Sequence, residues 1–182
     1  ARIASSQCQD CATGRYGDQI GQDNAASCKL CAKGRYGDQT SSTWDQCKAC
    51  LLGKFNDQNG QRAVTDCKLC AKGRYGDQVG LAECKACATG TYGAETGRES
   101  SAQCQNCGKG RYSDQAGLAE CKVCATGKYG ADTGLESSAQ CQNCETGRYG
   151  DQAGLAACKP CVTGKYGAET GRASLAQCQD CE

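Results

Sequence analysis

Histidine and methionine are absent from this 182-residue chain, and proline, tryptophan and phenylalanine occur once each. Without histidine the commonest general base and the imidazole metal ligand are gone. No acidic pair stands apart from the rest to take over hydrolytic work. Leu, Ile, Val and Phe together make only 16 residues, below the roughly 20% at which ordinary cores begin. No apolar run exceeds four residues, as in Ala49-Cys50-Leu51-Leu52, against the ~20 residues of a membrane helix, so membrane insertion is not expected. Neither sign of charge dominates: 21 basic and 20 acidic residues leave a net charge of +1, with no basic footprint for nucleic acid. With 25 glycines and a mean hydropathy of −0.64, the chain would be expected to stay disordered unless something other than a core holds it.

That something is cysteine. All 20 cysteines fall in ten C-x-x-C pairs that begin at Cys8, Cys28, Cys47, Cys67, Cys84, Cys104, Cys121, Cys141, Cys158 and Cys178. So fixed a period marks a repeat array in which each unit is expected to contact only its neighbours. From residue 67 onward the unit is a 37-residue double repeat, and residues 104–140 and 141–177 agree at 27 of 37 positions. Residues 1–7 form a lead-in, 8–66 three less regular modules, and 67–181 the regular part of one continuous solenoid-like array. Cysteine at this density predicts a disulfide scaffold in an extracellular, secreted or surface compartment. The first residues lack a methionine and an apolar signal region, so the stretch reads as mature or internal.

Within a module the pattern is C-x-x-C-x-x-G-x-Y-G-D-Q. Tyr16, Tyr36, Phe55, Tyr75, Tyr92, Tyr112, Tyr129, Tyr149 and Tyr166 share one position, and a glycine lies two residues before each. A position held by glycine in every module predicts a positive φ or a close backbone approach. The module reads as a turn at the cysteine pair, an extended segment such as Gly34-Arg35-Tyr36-Gly37, a second turn, and a return to the next pair. The aromatic ring is the largest apolar group available. It is expected to pack on a disulfide or the adjacent module, the alternative being a row of rings offered to carbohydrate. A Lys or Arg precedes the ring in every module except at Thr91, and an acid follows it, which predicts charge ladders between stacked modules. Trp44 reads as a packing plug, or else as a binding anchor.

Two pairing schemes are natural. In a ladder the second cysteine of each pair bonds the first of the next: Cys11–Cys28, Cys31–Cys47, Cys50–Cys67, Cys70–Cys84, Cys87–Cys104, Cys107–Cys121, Cys124–Cys141, Cys144–Cys158 and Cys161–Cys178. In an interleaved scheme whole pairs join as doublets, Cys8–Cys28 with Cys11–Cys31 and so on. The ladder treats all nine loops alike and leaves Cys8 and Cys181 as complementary ends for an intermolecular bond, which predicts a filament or a longer array. The spacing also fits all-thiolate zinc sites. Against zinc stand the absent histidine, the glycine three residues past the second cysteine, and the lack of a basic face. No strand–helix alternation supports a thioredoxin-like use of the pairs, and the chain is not expected to be an enzyme or to need a cofactor.

The pattern C-x-x-C-x-x-G-x-Y…C-x-x-C over residues 8–181 resembles the ephrin-receptor-like cysteine-rich repeat, a relative of tumour-necrosis-factor-receptor and EGF-like modules. The usual proline after the second cysteine is replaced by Ala12, Ala32, Leu51, Ala71 and Ala88, and the one proline is Pro160. The resemblance implies small, stapled, extracellular modules with no catalytic residues. The fold expected is an elongated, disulfide-rich rod of short-strand and irregular modules with little helix and no conventional core. The function expected is structural, as part of a self-associating filament, stalk or surface fibre. A receptor or adhesion ectodomain binding protein or carbohydrate is the alternative, and a multi-site zinc protein the third.

Overall fold

The computed structural model describes residues 10–17, 27–40 and 46–181; Cys8, Asp18 and Trp44 lie outside them. Nine disulfides join the second cysteine of each pair to the first of the next, from Cys11–Cys28 to Cys161–Cys178, and each spans 14 to 17 residues of sequence. We number the modules 1 to 9 by these loops. Among the described residues there is no α-helix, and the strands form nine two-stranded sheets. The fold is a small disulfide-rich repeat array.

The cysteine pair is not itself the turn that the sequence suggests. Its two inner residues form the return strand of a hairpin: Lys48–Ala49 pairs antiparallel with Arg35–Tyr36, Tyr36 opposite Lys48. The same register recurs in module 3, where Phe55 faces Lys68, and in module 7, where Tyr129 faces Gln142. The tight turn falls just after the second cysteine. In Ala32-Lys33-Gly34-Arg35 the Arg35 N–H donates to Ala32 O at 3.1 Å, and Gly34 takes φ +78°. That is the third position of a type II turn, where an L side chain is strained.

Sulfur is the core. Of the buried apolar residues among those described, all but two, Leu135 and Tyr149, are disulfide cysteines. Contacts divide the chain into two compact units, Ala1–Lys85 with Thr96–Ser101, and Ala86–Glu95 with Ala102–Glu182. Within each unit the modules join by one recurring backbone node. In the first, Gly14 N–H donates to Gly37 O at 2.8 Å, Gly37 N–H donates to Gln61 O at 2.9 Å, and Gly60 N–H returns to Cys31 O at 2.7 Å. In the second, Gly110 donates to Gly130 O, Gly130 to Leu155 O, and Gly154 to Cys124 O, each at 2.8 to 2.9 Å. Three successive modules therefore meet at one place. A Cβ on Gly34 would overlap the carbonyl of Gly80 two modules on, and one on Gly110 that of Gly154. The expectation of neighbour-only contacts is thus corrected: Gly14, Gly34, Gly53, Gly90, Gly110 and Gly127 each abut the module after next, whereas Gly147 and Gly164 do not.

A second glycine, not singled out in the sequence, completes the node. Gly60, Gly80, Gly134 and Gly154 all have positive φ, and the residue after each bridges in parallel to an aromatic of the preceding module, as Leu135 does to Tyr112 and Leu155 to Tyr129. The long, odd-numbered loops use their extra residues for a short 3-10 helix, such as Ser138–Gln140 and Leu175–Gln177. Gln177 Oε1 accepts the N–H groups of Ala173 and Ser174, fixing the insert locally.

Where the consensus glycine after the ring is replaced, the side chain is swallowed whole. Asn56 is fully buried; its Nδ2 donates to Arg35 O in module 2 at 3.0 Å, and its Oδ1 accepts the Gln58 N–H at 3.1 Å. Asn56→Ala is expected to cost about 1–3 kcal/mol by stranding those partners, measurable as a shifted denaturant midpoint. Asn56→Gly, which restores the consensus and lets the backbone close in, is expected to cost less than the alanine substitution.

Candidate functional site

The nine rings were expected to be packed away. Tyr149 is buried and Tyr166 is exposed, but the other seven are only half-buried. Tyr112 lies against the Cys124–Cys141 disulfide and Leu135 of the next module, yet each half-buried ring keeps part of its surface for solvent. Because the ring is half-buried, Tyr112→Ala is expected to cost about 1–3 kcal/mol, less than a fully buried aromatic. Hydrogen exchange should then accelerate through residues 107–141, not within one module alone.

The charged residues organise differently from the expected inter-module ladders. The acid after the ring pairs with the lysine that opens the next C-x-x-C, across the same hairpin: Lys48–Asp38, Lys68–Asp57, Lys85–Asp77 and Lys159–Asp151 at 2.9 Å, Lys122–Asp114 at 2.7 Å. Those lysines were not singled out in the sequence, although their recurrence in C-K-x-C was visible. The hydrogen bond that each ammonium donates to its partner aspartate raises the pKa of Lys48, Lys85, Lys122 and Lys159 above the ordinary lysine value, and the bond from Lys68 lowers that of Asp57. The raised lysine pKa values add stability that is present below the unfolded lysine value, about 10.4, and is lost as pH climbs through the folded one. The Asp57 contribution is lost as pH falls through the carboxylate range. The melting temperature is therefore expected to be flat from about pH 5 to 9 and to fall on both sides. Because the pairs are exposed, high salt should move it little.

The basic residue before the ring is not in this pairing in the even modules. Arg35, Arg74 and Arg148 each donate Nη1 to the carbonyl of the cysteine that closes their own loop, Cys47, Cys84 and Cys158, at 2.8, 2.8 and 2.9 Å. The bond lays the guanidinium along the hairpin. Beside it opens a groove whose other wall is the ring of the preceding odd module. The groove recurs at equivalent positions. Tyr16, Ala32, Arg35 and Cys47 line one of 290 Å³. Phe55, Ala71, Arg74 and Cys84, with Lys33, Asp57, Ala82 and Glu83, line one of 460 Å³. Tyr129, Glu145, Arg148, Ala157 and Cys158 line one of 220 Å³.

The eighteen cysteines from Cys11 to Cys178 that the ladder requires are all in disulfides. Cys181 is an exposed free thiol, and Cys8, its proposed complement, lies outside the described residues. Among the described residues no helix is long and apolar enough to cross a membrane, and no cluster of His, Cys, Asp or Glu has the makings of a metal site.

Stapled hairpins on a shared backbone node define a class of cysteine-rich repeat. Residues 62–104 match the family described as tyrosine-protein kinase ephrin type A/B receptor-like, and this stretch is a cysteine-rich repeat of the ephrin-receptor-like kind. No curated protein matches the chain. The match and the disulfide density both fit an extracellular location.

Proposed function

We propose that the chain is a structural segment of an extracellular filament, stalk or surface fibre. The observation that carries this reading is the glycine node. In both units it recurs with the same bonds, from Gly14–Gly37–Gly60 to Gly127–Gly150–Gly171. Backbone groups are consumed in joining module to module, and at turn glycines such as Gly34 and Gly110 a side chain would overlap the backbone of the module after next. Uniform linkage of this kind suits a repeat whose task is to extend and resist, since stability adds along the array from local interfaces. Electron microscopy of the purified protein tests it. Filaments or elongated assemblies are expected; compact, monodisperse particles would overturn the structural reading.

A receptor or adhesion ectodomain is the second reading. It draws on the ephrin-receptor-like match at residues 62–104 and on the grooves beside Arg35, Arg74 and Arg148. Under that reading soluble particles would saturate with a ligand.

A further inference from the structure

The double repeat has a structural meaning that the node does not explain. Every even module sets an arginine before its ring, and the three grooves all lie between that arginine and the ring of the odd module before it. The ring position is filled by Tyr16, Phe55 and Tyr129 in turn, so the groove does not depend on a phenol hydroxyl. In module 7 that hydroxyl is engaged elsewhere, donating to Gln142 Oε1 at 2.6 Å. What the three share is an aromatic surface beside a guanidinium. Arg74 and Arg148 are fixed through Nη1, which leaves their Nε and Nη2 donors without a partner among the described residues. Acceptors stand close by: Glu83, paired with Arg74 at 3.1 Å and largely exposed, and Glu145 in the groove of Arg148.

A partly open ring takes the apolar C–H face of a flat polar molecule. A guanidinium beside a carboxylate offers donors and acceptors to adjacent hydroxyls that can each both give and take a hydrogen bond. In the grooves of Arg74 and Arg148 the carboxylates disfavour an anionic ligand at close range. We infer that the groove between an odd-module ring and an even-module arginine, seen at modules 1–2, 3–4 and 7–8, is a binding site for a neutral saccharide. Recurrence along the chain makes the surface multivalent, so weak single sites sum on a polymer. The inference goes beyond the structural reading and stands or falls separately from it, because it requires no filament.

The test is nuclear magnetic resonance of the intact oxidised chain, titrated with mannohexaose, cellohexaose and laminarihexaose, and with a heparin hexasaccharide as the anionic comparison. At least one neutral sugar is expected to shift the ring resonances of Tyr16, Phe55 and Tyr129 and the Nε–H of Arg74 and Arg148, while Tyr166 stays in place. The corresponding polysaccharide should bind about 10²- to 10⁴-fold more tightly than the hexasaccharide. Tyr129→Phe should retain binding in its groove and Tyr129→Leu should weaken it about tenfold, one ring contact's worth. Glu145→Lys is an exposed change that leaves the hairpin intact, and it should weaken the same groove by a similar factor. The proposal is overturned if no neutral sugar moves these resonances, if heparin alone does, or if neither Glu145→Lys nor a folded Tyr129→Leu alters the affinity.

Discussion

Gly110→Ala is expected to destabilise the chain by about 2–5 kcal/mol, whereas Gly147→Ala should cost only about 1–2 kcal/mol. The two glycines occupy the same turn position with nearly the same φ, +74° and +75°, so the backbone strain of an alanine is common to both. They differ in what the new methyl meets. At Gly110 it runs into the carbonyl of Gly154 and the backbone of Leu155, while at Gly147 nothing lies within 4 Å. Both glycines donate to the next module, Gly110 to Gly130 O and Gly147 to Gly167 O, so the difference between the variants isolates the contact with the module after next. Denaturant midpoints give the magnitudes. Hydrogen exchange should show protection lost through residues 107–158 for Gly110→Ala and within the local turn for Gly147→Ala. Equal costs at the two positions would mean that the contact with the module after next contributes nothing.

Reduction is expected to abolish the fold, a larger effect still. Each loop of 14 to 17 residues is held by a cross-link worth about 3 kcal/mol through the unfolded chain. Because the cysteines are also nearly the whole of the buried apolar surface, their separation removes the core along with the staple. Circular dichroism should collapse on adding a reductant and stay unchanged on adding EDTA. Loss of structure with EDTA alone would mean that metal-bound thiolates hold the modules. Removing a single bond by Cys124→Ser with Cys141→Ser should cost about 3 kcal/mol and loosen Tyr112 and Leu135, which pack on it.

Much of this was legible in the sequence because cysteine and glycine carry their constraints locally. A chain with 16 large aliphatic and phenylalanine residues and 20 cysteines has few ways to stay folded, and an oxidised scaffold is the simplest. The invariant glycine before each ring announced a positive φ, and Gly34 and Gly110 have it.

Other features depended on which atoms the stacking brings together. The lysine partners of Asp38 and Asp114, Lys48 and Lys122, sit ten and eight residues away, across a hairpin whose register the sequence does not state. The second glycine, as at Gly60 and Gly154, looked like an ordinary loop residue, because what makes it necessary is a bond to a cysteine carbonyl in the preceding module. The alternation of Arg74 and Arg148 with Lys128 and Lys165 was visible, but its consequence was not. A groove exists only where two modules face each other. Composition and local spacing determined the scaffold, since cross-links and turn glycines act within a few bonds of themselves. Tertiary structure decided the node, the ion pairs and the grooves, because each is made of groups from hairpin partners or separate modules whose contact no local rule encodes.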